Sequence, residues 1–355
     1  MRSILSSTGL FALAAIPLPW AQAASRSDYI NNAVATVNTL NTNWYDSSNG
    51  QWQDLWWNSA NMITTLANFA ALDPDQYLPQ LNSYFETTFV ASPASNGGSF
   101  VNDFYDDEGW WAMAWIRLYD LTQNATYLQA AEDIFSDMVN GEGAACGGHW
   151  WSKDNDANTA IGNELYLAVA ASLANRADNG SKYASIATRE VEWFMNSGLI
   201  NENNTIDDGL DLTSCTATGA TYTYNSGAIL GALLEMNRLT PTKTYLDLAS
   251  DIAHGAIDTL TDGNGILIEV GYPGPPDDTG AQFKGIFARN LAYLQSAAPD
   301  DAYVSFLQLN ADSIWTADRQ DDSLLGPDWQ GPYFDAGAAS QSSALDCLVA
   351  AAAVS

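Results

Sequence analysis

Apolar residues recur along the chain in a repeated helical frame. Tyr127, Leu128, Ala131, Ile134, Phe135 and Met138 stand at offsets 0, 1, 4, 7, 8 and 11, which places them on one face of an amphipathic helix. The same offsets hold Tyr245, Leu246, Ala249, Ile252, Ala253 and Ala256. They also hold Tyr29, Ile30, Ala33, Thr36, Val37 and Leu40, with one polar substitution. Shorter versions begin at Tyr77, Tyr183 and Tyr303, so six tyrosines open six such faces at intervals of 48, 50, 56, 62 and 58 residues. Between these faces lie six segments apolar on nearly every side, beginning near Trp56, Asp107, Asn158, Tyr222, Gln282 and Asp335. Trp110-Trp111-Ala112-Met113-Ala114-Trp115-Ile116 has no polar face and requires burial all round. Six two-faced helices alternating with six buried ones predict an all-α fold, an (α/α)6 barrel of six helical hairpins. Strand signals are weak throughout, and Gly265 to Val270 is the best short candidate.

The connections are unequal. Passing from buried to two-faced helix takes a few residues, as at Asp73-Pro74, Gln123-Asn124 and Thr240-Pro241. The return takes long loops, near 41–55, 89–106, 140–157, 197–221, 259–281 and 318–334. Long ordered loops commonly carry function, and in such a barrel they emerge together over the N-termini of the inner helices. They hold Trp52, Trp150, Trp151, Asp207, Asp208, Tyr272, Asp278 and Trp329. Aromatic planes beside carboxylates suit sugars, whose C–H faces stack on rings and whose hydroxyls need acceptors.

Composition narrows the partners. The 355 residues carry 42 Asp+Glu against 12 Lys+Arg, a formal net charge of −30, yet 47% are hydrophobic and 13 are Trp. A disordered acidic chain would lack the apolar content. Too few cations exist to neutralise phosphates, so neither nucleic acid nor an anionic membrane surface is expected as a partner. Residues 1–23 read as a secretory signal peptide: Met1-Arg2, an apolar run from Leu10 to Leu18, then Ala21-Gln22-Ala23. Residues 24–355 are expected to form one catalytic barrel, monomeric and secreted. The apolar C-terminus, Leu348 to Val354, is too short for a glycolipid-anchor signal. Asn124, Asn179 and Asn203 open N-glycosylation sequons. Cys146 and Cys215 lie in loop-like sequence and are expected to pair, leaving Cys347 buried in a helix. His149 and His254 stand far apart, so no metal site is expected.

The sharpest chemical signal is Asp106-Asp107-Glu108-Gly109-Trp110-Trp111 at the mouth end of the second buried helix. Glycoside hydrolysis needs two carboxyl groups, and neighbouring Asp side chains can span the short separation that retaining enzymes use. Burial beside Trp110 and like-charge repulsion would raise one pKa, while the helix N-terminus favours ionisation of the other. Helix capping is the competing reading of these acids. Asp207-Asp208, Asp277-Asp278 and Asp321-Asp322 lie in the long loops, and Asp208 before Gly209 is favoured as a substrate ligand. Asp300-Asp301 reads as a solvated turn. Lys284 and Arg289, cations on a buried helix, must be paired; Arg289 reads as structural and Lys284 stays open.

The ordered motifs Tyr105-Asp106-Asp107-Glu108-Gly109-Trp110-Trp111, Cys146-Gly147-Gly148-His149-Trp150-Trp151, Asn158-Thr159-Ala160-Ile161-Gly162-Asn163-Glu164-Leu165, Tyr222-Thr223-Tyr224-Asn225-Ser226-Gly227 and Phe283-Lys284-Gly285-Ile286-Phe287 resemble glycoside hydrolase family 76, the endo-α-1,6-mannanases. The resemblance implies the same six-hairpin barrel and a retaining hydrolysis of α-1,6-mannan without a cofactor. It places the nucleophile on Asp106 and the general acid/base on Asp107. Trp57, Asn61, Trp110, Trp151, Asn158, Asp208, Tyr224, Asn225, Lys284 and Trp329 are then expected to hold the flanking mannoses. Rival readings are a transglycosylase moving mannose-containing glycolipid anchors of wall proteins onto glucan, a sugar epimerase on a similar barrel, and a catalytically silent glycan-binding barrel.

Overall fold

The computed structural model describes residues 24–272 and 274–355, so the expected leader at 1–23 lies outside them. Twelve α-helices among the described residues alternate between two rings. The outer ring comprises α1 (Arg26–Trp44), α3 (Pro74–Ala91), α5 (Ala125–Met138), α7 (Gly180–Asn196), α9 (Lys243–Thr259) and α11 (Asp301–Ala317). The inner ring comprises α2 (Trp56–Leu72), α4 (Tyr105–Thr122), α6 (Ala160–Ala174), α8 (Thr223–Leu239), α10 (Asp278–Ala297) and α12 (Ala338–Val354).

Five of the six outer helices start where the sequence supplies a side-chain cap, the exception being α7 at Asn179. Ser25 closes a capping box on α1, Asp73 accepts from the Gln76 N–H with Pro74 in the first turn, and Asn124, Thr242 and Asp300 cap α5, α9 and α11. Their tyrosine frame faces inward: Tyr29, Tyr77, Tyr127, Tyr183 and Tyr303 are buried and Tyr245 half-buried. Inner helices α6 and α12 bury almost every position and the other four more than half, as the absence of a polar face requires. Each inner helix packs on the next, and α12 returns to α2, which closes the ring. The first helix packs on α12, so the chain's two ends form the sixth hairpin. Two glycines let inner backbones meet: a Cβ on Gly227 would stand 2.6 Å from Phe287 Cα, and one on Gly285 2.6 Å from Ser343 Cα.

One to five residues join inner to outer helices at the base of the barrel. At the mouth, 11 to 26 residues join outer to inner helices. Three mouth segments, Asn158–Thr159, Asp207–Leu210 and Ala217–Thr221, form an antiparallel sheet. Gly265 to Val270 is not a strand. Its backbone bonds instead to the end of α9 and to the Asn310 side chain, leaving one isolated bridge from Leu267 to Thr261. Cys146 and Cys215 are disulfide-bonded with Cα atoms 5.4 Å apart, tying two mouth loops together, while Cys347 is free and buried in α12.

Candidate active site

The start of α4 is fixed by two mouth segments. Asn102 accepts from the Phe104 N–H through Oδ1 at 2.9 Å and donates through Nδ2 to Asp107 Oδ2 at 2.7 Å. The Tyr105 N–H donates to the Trp151 carbonyl at 2.9 Å, and Trp151 Nε1 donates to Asp106 Oδ2 at 2.9 Å. Each aspartate is thus oriented through one oxygen. Asp106 Oδ1 is buried and has no partner among the described residues. Helical rotation turns the third acid away: Glu108 is fully buried and pairs with Lys153 at 3.0 Å, which also holds Asp137 at 2.7 Å.

Asp106 and Asp107 line a cleft of about 520 Å³ at the mouth, together with Asp208 on the three-stranded sheet. Aromatic rings make up much of its wall. Tyr224 stacks on Phe283 with centroids 3.8 Å apart and planes 5° from parallel, and Trp57 lies 6.0 Å from Trp110. Trp151 and Phe104 contribute a second aromatic patch beside Asp106.

The two aspartates differ electrostatically. Burial raises Asp106 to about 6, held there by the Trp151 hydrogen bond and by N–H groups at the helix start. Burial and then the charge of Asp106 push Asp107 to about 8, with the Asn102 bond opposing them. Near neutral pH the site therefore offers one carboxylate and one carboxylic acid. Asp208 is raised by burial and steadied by Asn225 Nδ2 at 3.3 Å. Glu164, one turn into α6, is fully buried, and neither of its carboxyl oxygens has a partner among the described residues. Desolvation, then the charge of Asp208, holds it well above the usual carboxylate range.

Of the ten side chains expected to hold sugars, Trp57, Trp110, Trp151, Asp208 and Tyr224 line the cleft. The other five do not line it: all five are buried, and Lys284 borders a neighbouring hollow. Asn61 accepts from Arg289 Nη2 at 2.5 Å, within the pair that Arg289 makes with Asp346 at 3.0 Å. Asn158 donates to the Gly147 carbonyl at 2.7 Å and accepts from Asn163 at 2.9 Å, holding a loop. Asn225 reaches the cleft only through Asp208. Lys284 donates to the Pro327 carbonyl at 2.6 Å and sits 4.7 Å from the Trp329 ring centroid, and both side chains are buried in the barrel wall. Phe104, Phe283 and Glu164 were given no role from the sequence: Phe104 directly precedes the Tyr105–Trp111 motif, Phe283 opens its own motif, and Glu164 lies in a motif that runs into core-like sequence. His149 is buried between the Met138 and Trp150 carbonyls as a loop tie, and no group of three or more His, Cys, Asp or Glu among the described residues is arranged to hold a metal.

The sequence model of glycosyl hydrolase family 76 matches residues 21–354. The mannan endo-1,6-alpha-mannosidase DFG5 of Saccharomyces cerevisiae is 22% identical over 333 residues, covering 82% of this chain and 70% of its own length. A candidate mannan endo-1,6-alpha-mannosidase of Schizosaccharomyces pombe is 24% identical over 296 residues, 77% of this chain and 66% of the relative. The chain thus spans about two thirds of the length of these relatives. Among solved structures, the alpha-1,6-mannanase GH76A of Salegentibacter sp. superposes with a TM-score of 0.82 at 23% identity, covering 92% of this chain and 100% of that one. That structure is an inactive variant with two consecutive aspartates replaced, in complex with alpha-1,6-mannotetrose. Dfg5 from Chaetomium thermophilum, in complex with glucosamine, superposes with a TM-score of 0.81 at 17% identity, covering 94% of this chain and 92% of that one.

Proposed function

Since this chain belongs to glycosyl hydrolase family 76, we propose that it cleaves internal α-1,6-mannosidic bonds of mannan backbones with retention of configuration. The observation that carries this reading is the pair of consecutive aspartates in one aromatic cleft with separated proton affinities. Asp106 Oδ1, the oxygen without a partner, attacks the anomeric carbon while Asp107 gives its proton to the departing glycosidic oxygen. The C1–O bond breaks as the ester to Asp106 forms. Asp107, now ionised, takes a proton from water, which attacks the same carbon and frees Asp106. The nearby Asp208 carboxylate is the acceptor for sugar hydroxyls, and Trp57, Trp110, Trp151, Tyr224 and Phe283 offer planes for their C–H faces. No cofactor enters these steps.

Secretion fits the leader pattern at 1–23, the disulfide, and the exposure of Asn124, Asn179 and Asn203. No helix among the described residues is long and apolar enough to cross a membrane. A second reading, transfer of the mannosyl group to another sugar, shares the ester and differs only in the acceptor. Two further hollows of about 440 and 330 Å³ flank the cleft on the same face and leave room for one. Debranched α-1,6-mannan, followed by chromatography and anomeric NMR, decides the matter: α-configured, shortened mannooligosaccharides support hydrolysis, and new conjugates with an added acceptor support transfer. D106N and D107N are each expected to lose about 10³-fold or more in rate with unchanged melting. Wild-type turnover in either variant overturns the assignment.

A further inference from the structure

A second cavity, of about 150 Å³, lies between the inner helices below the cleft. Trp110 lines both, so its ring is part of the partition between them. Four guanidinium groups face the lower cavity, Arg117, Arg176, Arg238 and Arg289, although the whole chain has only 12 Lys+Arg. Their bonding is uneven. Arg176 is saturated, with Asp120 at 2.7 and 2.8 Å and Glu235 at 2.8 and 3.0 Å. Arg289 is held by Asp346 and Asn61. Arg238 spends one nitrogen on Glu235 at 2.6 Å. Arg117 donates only through Nε, to Asn68 Oδ1 at 2.6 Å, and its two terminal nitrogens have no acceptor among the described residues.

The acceptors are already spent. Asn68 Oδ1 also takes the Tyr293 hydroxyl at 2.6 Å, which fixes the amide so that Nδ2, buried, has no partner among the described residues. Four guanidinium groups meet three carboxylates, Asp120, Glu235 and Asp346. In a chain of net charge −30, this is a local surplus of donors and of one positive charge. The two terminal nitrogens of half-buried Arg117, bonded to no protein acceptor among the described residues, form a fork that matches the two oxygens of a carboxylate or phosphate. The remaining wall is apolar, from Met113, Ile116, Leu165, Ala168 and Leu234. A cavity of this size far exceeds the ~10–15 Å³ that one water needs.

We propose that this cavity is a binding site for a small oxyanion, with Arg117 as its principal ligand and a short hydrocarbon body against the apolar wall. Butyrate and inorganic phosphate share the anionic oxygens and differ in that body. Each is titrated by calorimetry into the full chain, into R117M, and into A168L, which fills the wall and leaves every arginine in place. The expected result is saturable 1:1 binding of butyrate to the wild type, weakened about tenfold or more in both variants. Phosphate binding more tightly than butyrate overturns the apolar half of the assignment and supports the oxyanion half. Absence of saturable binding by either anion up to about 50 mM overturns the site. Equal butyrate affinity in wild type and A168L overturns its location, even if R117M does not fold.

Discussion

At the scale of single residues, two consecutive aspartates acquire different proton affinities from their neighbours. Asp106 receives an indole N–H and the backbone N–H groups of the helix start, whereas Asp107 faces the charge of Asp106. Asp106 must be ionised to attack and Asp107 protonated to donate, so kcat/KM on α-1,6-mannooligosaccharides is expected to be bell-shaped, with limbs near 6 and 8. Activity then falls about tenfold per pH unit beyond either limb; a flat profile from pH 5 to 9 contradicts these roles. Glu164 extends the argument. A buried carboxyl without a partner is held neutral, and Gln preserves both shape and charge. E164Q is expected to keep kcat/KM within about threefold and the same two limbs, and a much larger loss would show that the Glu164 proton is used in the reaction. The Asp106-Asp107 pair stood out in the sequence as adjacent acids at a helix start beside tryptophans, a pattern that helix capping also produces, and it was the family resemblance that assigned the two roles. Asn61, Asn158 and Trp329 stand outside the cleft because residue type does not reveal which face of a wall a side chain meets, and Lys284 lines a neighbouring hollow instead. Glu164, although part of a motif, was given no role for the converse reason: an acid beside an apolar run reads as part of the core.

Among elements, the helices and the long mouth loops were legible, and the short strands within those loops were not. A 3.6-residue period over three turns is a local signal that burial enforces, and all six tyrosine-led faces turn inward to some degree. The strands that hold Asn158 and Asp208 are two and four residues long and exist because tertiary packing pairs them, so no local period announces them. The inner ring depends on contacts that sequence reading does not resolve either. Gly285 in α10 lies against the α12 backbone at Ser343, where an added methyl has only main chain to displace. G285A is expected to destabilise the barrel by about 1–3 kcal/mol, a fall of about 1–2 °C in Tm per kcal/mol for a chain of this size. Gly263, whose Cβ would meet nothing within 4 Å, supplies the control: G263A should leave Tm unchanged. Equal melting of G285A and G263A would mean that the α10–α12 contact yields at little cost.

Over the whole molecule, acidity and burial act in the same direction. The chain carries a net charge of −30 at pH 7, so self-repulsion in the compact state grows as carboxylates ionise. Several carboxyl groups are also buried with raised proton affinity: Glu108, Glu190 and Asp318 to about 8, Glu269 to about 7, and Asp346 to about 6. Desolvation is the largest cause for each, and paired or nearby cations such as Lys153 and Arg289 only partly offset it. A carboxyl whose folded pKa lies above its unfolded value binds its proton more tightly in the native state. Its contribution is complete below the unfolded pKa, near 4, and is lost as pH rises through the folded one. Glu235, lowered by Arg176, and the exposed Asp28, Asp46 and Asp211, lowered by local hydrogen bonds, act oppositely and penalise folding only below about pH 4. The two groups together place maximal stability near about pH 5, with a progressive loss toward pH 8.5. Thermal unfolding followed by circular dichroism across pH 4 to 8.5 checks this, with added NaCl separating the two causes. Salt should recover the part due to surface repulsion and leave the part due to buried carboxyls. A Tm that rises from pH 5 to 8 would show that the buried acids are ionised and paired in the folded barrel.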